Sequence, residues 1–167
     1  MIIREANKTD ALILVNILRQ SFAPVAKQFG LTIENCPSNR AFCTEQRIYD
    51  DFAKGANYYI LEENSKPCGC VAFEKANSDV CYLERLAVLP EHRRKGFGAA
   101  LVRHLFDIAL KMGIKRVEIG IISEQTELKN WYKKFGFVEK NTKTFDHLPF
   151  VVAFMSVELD ANGIKKR

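Results

Sequence analysis

The sequence predicts a mixed α/β fold, one α+β sheet with helices on its faces. Three observations carry this: an opening strand followed by a helix, three β-rich segments separated by turn chemistry, and a long amphipathic helix leading into a returning strand. The chain has 167 residues, 47% hydrophobic and 27% charged, the balance of a globular protein. That length buries about two-thirds of the unfolded surface. It suits a single domain over 1–160, with 161–167 as a basic tail.

Ile2 to Ala6 reads as a short strand. Thr9-Asp10 offers a helix cap, and Leu14, Ile17, Leu18, Ser21 and Phe22 follow at helical spacing. Pro24, Gly30 and Pro37 interrupt any pattern from Ala23 to Phe42, so that stretch reads as irregular. Thr44 caps a second helix that buries Ile48 and Phe52 and stops at Gly55. Tyr58 to Glu62, Cys70 to Glu74 and Val80 to Val88 are strands of an antiparallel meander, joined by turns at Asn64-Ser65-Lys66-Pro67 and Ala76-Asn77-Ser78-Asp79.

Pro90 ends the third strand of the meander. After Gly98, Leu101, Leu105, Ile108 and Met112, flanked by Val102, Phe106 and Ala109, form one broad apolar stripe closed by Gly113. Val117, Ile119 and Ile121 alternate as a strand parallel to the one before the helix. A last helix spans about Thr126 to Phe135 and ends at Gly136. Val151, Ala153, Met155, Val157 and Leu159 line one face of a final strand.

Five cysteines, at 36, 43, 68, 70 and 81, contain no C-x-x-C pair, which points to reduced, packed thiols and no metal site. The start has no apolar run of signal-peptide length and the chain no membrane span, so a cytoplasmic protein is expected. The net charge of +5 concentrates at Arg93-Arg94-Lys95 and Lys165-Lys166-Arg167. The first cluster fits a small polyanion as well as it fits nucleic acid, and alternating charges elsewhere disfavour a nucleic-acid surface.

That cluster carries the chemistry. Arg93 to Gly98 places three cations and two glycines, Gly96 and Gly98, at the start of the long helix. The first N–H groups of a helix are unpaired, the helix dipole is positive there, and glycine lets backbone approach a phosphate closely. A diphosphate is the natural guest; the plain alternative is a turn whose cations face water. No G-x-x-x-x-G-K-[ST] loop is present, and Gly98-Ala99-Ala100-Leu101 breaks the dinucleotide pattern, so nucleoside triphosphates and NAD are disfavoured.

Val88-x-Pro90 followed by Arg93-x-x-Gly96-x-Gly98 resembles the acetyl-CoA signature of the GCN5-related N-acetyltransferases (GNAT). Trp131-Tyr132-Lys133-Lys134-Phe135-Gly136-Phe137 is similar to that family's C-terminal Tyr-x-x-x-Gly-Phe segment, in the expected order. The resemblance covers roughly residues 1–159. It implies a mostly antiparallel sheet splayed between strands 4 and 5, and transfer of an acetyl group from acetyl-CoA to a primary amine in a ternary complex. It implies that backbone groups of Leu86, Ala87 and Val88 hold the pantetheine arm. The loop of Arg93, Arg94, Lys95, Gly96, Phe97, Gly98 and Ala99 would hold the pyrophosphate, the N–H groups from Arg94 to Ala99 cradling it. Tyr132 protonates the departing thiolate. Where many relatives carry Asn seven residues before this Tyr, this chain has Gln125, a longer amide in the cofactor-binding set.

An alkylammonium must lose a proton before it attacks a thioester, so a base is expected. Glu84 shares strand parity with Leu86 and Val88 and is the candidate; an ion pair with Arg85 or Arg94 is the structural alternative. His147, on the loop from Glu139 to Pro149, and His92 are lesser candidates. Trp131 and Phe135 are read as core. No metal is required. The acceptor is a small-molecule or peptide amine, the state monomer or homodimer, and the competing function is a CoA-binding sensor without turnover.

Overall fold

The computed structural model describes residues 1–160 and the short strand Gly163–Ile164; the terminal Lys165-Lys166-Arg167 of the expected tail lie outside the described residues. The elements are β1 (Ile2–Glu5), α1 (Ala11–Gln28), α2 (Glu45–Ala53), β2 (Asn57–Glu63), β3 (Lys66–Lys75), β4 (Val80–Val88), α3 (Phe97–Lys111), β5 (Arg116–Ile122), α4 (Thr126–Lys133), β6 (Val138–Thr144), β7 (Val151–Asp160) and β8 (Gly163–Ile164). The sheet runs in the order β1-β2-β3-β4-β5-β7-β6, with β8 on β7. β4 and β5 pair in parallel, Val80 to Tyr82 against Arg116 to Glu118, while β1–β2, β2–β3, β5–β7, β6–β7 and β7–β8 pair antiparallel.

Two compact units divide the chain: Met1–Glu74 with Leu83–Leu105, and Lys75–Tyr82 with the chain from Phe106 onward. In the first, β2 and β3 are buried along almost their whole length because helices cover both faces. One face carries Tyr58, Ile60, Cys70, Ala72 and Ala87, which pack with Leu14, Ile17 and Leu18 of α1 and Ile48 of α2. The other carries Tyr59, which meets His104 of α3 edge-on at 4.9 Å, and Gly69, which lies against Leu101. Alternation along a strand is what gives Tyr58 and Tyr59 to opposite layers.

Local chemistry sets the ends. Asp10, expected as a cap, turns its carboxylate back to the Asn7 N–H at 3.0 Å and to Arg4, while Asn7 Oδ1 accepts from Thr9 N–H at 2.8 Å. The Arg4 guanidinium holds the Asp10 carboxyl below its usual range, against the opposing effect of burial. Thr44 Oγ1 accepts from Arg47 N–H as predicted, and Gly55 takes the left-handed conformation at φ 90°. Asn64 and Ser65 both have positive φ, 52° and 62°, which makes them a two-residue hairpin turn. Pro67, expected in that turn, lies instead in β3 opposite Glu62, where the ladder shifts register and a missing N–H costs little.

Two segments depart further from the sequence reading. α1 does not stop near Phe22; it runs through Pro24 to Gln28, burying Ala26 in its last turn. Proline removes one backbone donor, and that packing outweighs the loss. The stretch read as a loop from Glu139 begins instead as β6, every residue of which is exposed.

In the second unit β7 lies between β5 and β6, with Ile119 opposite Met155 and Val117 opposite Val157. Ala153, Met155, Val157 and Leu159 are buried as expected, whereas Val151 is 40% exposed at the strand's start. Phe137, 1% exposed, anchors this core and meets Phe106 at 5.9 Å. No helix among the described residues is long and apolar enough to cross a membrane.

Candidate functional site

The loop before α3 is tied down at its entry. Leu89 N–H donates to Cys68 O at 2.9 Å, and a single turn follows over Pro90–His92. The Arg93 guanidinium donates to Val88 O at 3.2 Å and to Ser21 O at 2.8 Å, fastening the loop to β4 and α1. Arg94 and Gly96 are both left-handed, with φ 61° and 82°. Gly96 O accepts from Ala100 N–H at 3.0 Å, so the N–H groups of Phe97, Gly98 and Ala99 precede the first intrahelical bond. A Cβ on Gly96 would meet nothing within 4 Å, so its glycine answers the backbone angle rather than crowding.

The loop's cations differ in what they do. Arg94 is exposed and has no partner among the described residues. Lys95 Nζ lies 3.7 Å from Glu63 and 3.4 Å from His92 Nδ1. Glu63, Cys68 and His92 bring ligand atoms within 4.8 Å of one another, a grouping the cysteine spacing does not reveal. Lys95 already places its ammonium against two of the three. Phe97, 5% exposed, plants the loop in the core.

β4 supplies the next wall. Leu86, Ala87 and Val88 lie further along the strand than its pairs with β5. Gly69 makes room for them: a Cβ there would meet Ala87 O at 2.6 Å and Val88 Cγ2 at 3.3 Å. Gly69→Ala is therefore expected to push β4 from β3 and to cost about 1–3 kcal/mol, measured by denaturant unfolding. A variant as stable as the parent would show that the two strands part freely.

Arg85 breaks the strand's alternation. Its φ of 54° is unusual for a long side chain and interrupts the pleat between Glu84 and Leu86. The parity that set Glu84 on the side of Leu86 and Val88 therefore does not carry across. The charges around Glu84 are those of Arg85, Glu74, Arg40 and Asp51. Glu84 is half-buried and makes no ion pair with Arg85 or Arg94. Burial pushes its carboxyl up, Arg85 opposes this, and Glu74 adds to the rise.

Asp51 is the centre of that cluster. It lies 7% exposed on α2, accepts from Tyr58 Oη at 2.6 Å and Arg40 Nη1 at 3.0 Å on Oδ2, and accepts from Arg85 Nη2 at 3.2 Å on Oδ1. Burial drives the Tyr58 phenol well above its usual value, so it stays a donor. Sequence reasoning passed over Arg40 and Asp51, and named Arg85 only as an ion-pair partner for Glu84. The available signal was Asp51 itself, an acid three residues after Ile48 on the helix face expected to be apolar.

In the second unit Tyr132 is 5% exposed, with Trp131 at 5.0 Å and Phe137 at 5.4 Å, both edge-on. Trp131 also meets Phe135 at 4.8 Å, the aromatic packing expected of both. Gln125 starts α4, but its side chain makes no capping bond. His147 is exposed and touches the Phe145 ring edge-on at 5.7 Å.

The acetyltransferase (GNAT) family model matches residues 27–137, which take in the loop, β4 and Tyr132. The chain belongs to the GNAT family. An uncharacterized N-acetyltransferase of Schizosaccharomyces pombe is 29% identical over 127 residues, 70% of this chain and 77% of that protein. An uncharacterized N-acetyltransferase of Methanocaldococcus jannaschii is 30% identical over 89 residues, 50% of this chain and only 39% of that protein's length. Among solved structures, the ribosomal-protein-S18-alanine N-acetyltransferase of Escherichia coli superposes with a TM-score of 0.76 at 18% identity, covering 99% of this chain and 98% of that one. The PaiA N-acetyltransferase of Thermoplasma acidophilum, in complex with coenzyme A, gives 0.75 at 18% identity, covering 93% and 96%. These two share the fold.

The matching family is one of acetyltransferases. The loop has what a pyrophosphate requires: open N–H groups at a helix start, a left-handed glycine, and the unpartnered cation Arg94.

Proposed function

We propose that this chain transfers the acetyl group of acetyl-CoA to a primary amine by direct attack, with no covalent enzyme intermediate. The observation that carries the reading is the left-handed Arg94 and Gly96 ahead of the unspent N–H groups of Phe97, Gly98 and Ala99. In this assignment those groups hold the pyrophosphate, with Arg94 and Lys95 adding charge. Leu86, Ala87 and Val88 hold the pantetheine arm through their backbone, and donors near Val88 polarise the thioester carbonyl. Gln125 takes the place of the amide that many family members present to the cofactor. Glu84 accepts the amine's proton, the amine nitrogen bonds to the carbonyl carbon, and the carbon–sulfur bond breaks. Tyr132 supplies a proton to the leaving sulfur, a role it takes from the family motif.

Thermal unfolding with and without acetyl-CoA tests this, with Tyr132→Phe beside the parent. The variant is expected to keep the parent's rise in Tm, because the phenol acts on a departing thiolate and not on the pyrophosphate. Its kcat should fall by about tenfold to a hundredfold, a modest loss since a thiol of pKa near 8.5 leaves tolerably without help. No rise at millimolar acetyl-CoA in folded parent protein would sink the cofactor assignment. An unchanged kcat would sink the role of Tyr132.

A further inference from the structure

Within hydrogen-bonding distance the cluster around Asp51 sets two guanidinium groups against one carboxylate, and Glu74 brings the second negative charge only at 3.6 Å. Arg40 and Arg85 both donate to the one carboxylate of Asp51, and Tyr58 brings no charge. A guanidinium has five N–H donors. In Arg85 only Nη2 makes a hydrogen bond among the described residues; Nε and Nη1 are sealed from solvent without one. The nearest counter-charge to Nη1 is Glu74 Oε2 at 3.6 Å, close enough for an ion pair and too far for a hydrogen bond. Glu74 is 35% exposed and held by nothing else among the described residues, while Arg85 is 13% exposed and held by Asp51 through Nη2. The left-handed backbone that aims Arg85 here is strain of the kind that persists where a site requires it.

We infer that Arg85 receives a carboxylate borne by the acceptor, which displaces Glu74 from Nη1, so that the preferred substrates are amines carrying a carboxylate, such as free amino acids. The inference rests on the acyl-transfer reading and deepens it. The Arg85 charge acts on the Glu84 carboxyl, so the group proposed to take the amine's proton and the group that takes the carboxylate lie within electrostatic reach of each other. An Arg85 Nη1 that makes only a 3.6 Å ion pair with Glu74 can give an acceptor carboxylate a full charge-assisted hydrogen bond. Glu74 acts as a placeholder that shields Arg85 until the acceptor arrives.

The test compares amino acids with their primary amides and with the matching decarboxylated amines, using the full chain and saturating acetyl-CoA. Amino acids are expected to exceed both controls by about tenfold to a hundredfold in kcat/KM, the scale of one charge-assisted hydrogen bond. Peptides with an acidic residue next to the N-terminal amine separate a free amino acid's carboxylate from one in a protein acceptor. Arg85→Lys should raise KM for amino acids by a larger factor than it raises KM for the amides. Glu74→Gln, on a half-buried side chain, should lower that KM by removing the placeholder, and it keeps the test alive if Arg85→Lys does not fold. Equal kcat/KM for amino acids and amides, with acetyl-CoA still raising Tm, would overturn the carboxylate site alone. Failure of acetyl-CoA to bind would overturn both readings.

Discussion

Gly98→Glu is expected to abolish acetyl-CoA binding while leaving the fold intact. Gly98 is half-buried in the first turn of α3, and it is absent from the glycines with positive φ, so a side chain there meets no backbone penalty. A glutamate at a helix start is favourable in itself, because the dipole there is positive. The same carboxylate would stand among the N–H groups assigned to the pyrophosphate, where its charge repels the ligand's. Ligand at a hundredfold excess over Kd stabilises the parent by about 2.7 kcal/mol, a rise of roughly 5–10 °C for a chain of this size. Differential scanning fluorimetry should show that rise in the parent and none in Gly98→Glu, with equal Tm values in the absence of ligand. A normal rise in the variant would move the diphosphate site elsewhere.

Glu84→Gln should lower kcat/KM by about 10²–10³ at neutral pH. A primary amine of pKa near 10 is neutral in about one part in a thousand there, and without a base only that fraction reacts. The sign of the pH dependence follows from the direction of the shift. Burial raises the Glu84 carboxyl, and its deprotonated form is the one that accepts a proton. In the parent, kcat/KM therefore climbs with pH through a value above the ordinary carboxylate range and levels off beyond it. In Glu84→Gln that limb disappears, and activity keeps rising toward the amine's own pKa. Stability moves the other way. A carboxyl that binds its proton more tightly folded than unfolded costs stability as pH rises through the interval between its two values. The glutamine variant should be at least as stable as the parent at neutral pH, which separates lost chemistry from lost structure. A parental pH profile in the variant would leave Glu84 without a role as base.

Much of this was legible in the sequence because the physical signals were local and redundant. α3 announces itself by an apolar stripe with Gly113, at φ 75°, just past its end. The turn ahead of α3 could be read because its left-handed backbone at Gly96 calls for glycine. β6 could not: a fully exposed edge strand has no apolar face, so its Lys, Glu, Asn and Thr residues carry no alternation. α1 beyond Phe22 was hidden by Pro24, whose local preference yields to tertiary packing. The parity count that set Glu84 beside Leu86 and Val88 assumes an unbroken pleat, and the left-handed Arg85 interrupts it. The Asp51 cluster joins residues from the turn at Arg40–Phe42, α2, β2 and β4, a convergence no spacing rule reports.

The five cysteines give the chain an internal gauge of its own opening. All five are buried, and burial pushes the Cys70 and Cys81 thiols up to about 12. Alkylating reagents attack the thiolate, which is scarce at such values, and they must also reach it. Native molecules are thus nearly silent to these reagents, while an unfolded chain offers five ordinary thiols at once. The pace of labelling under gentle conditions would then read how often the core around β3 and β4 comes apart, with no probe added and no residue changed.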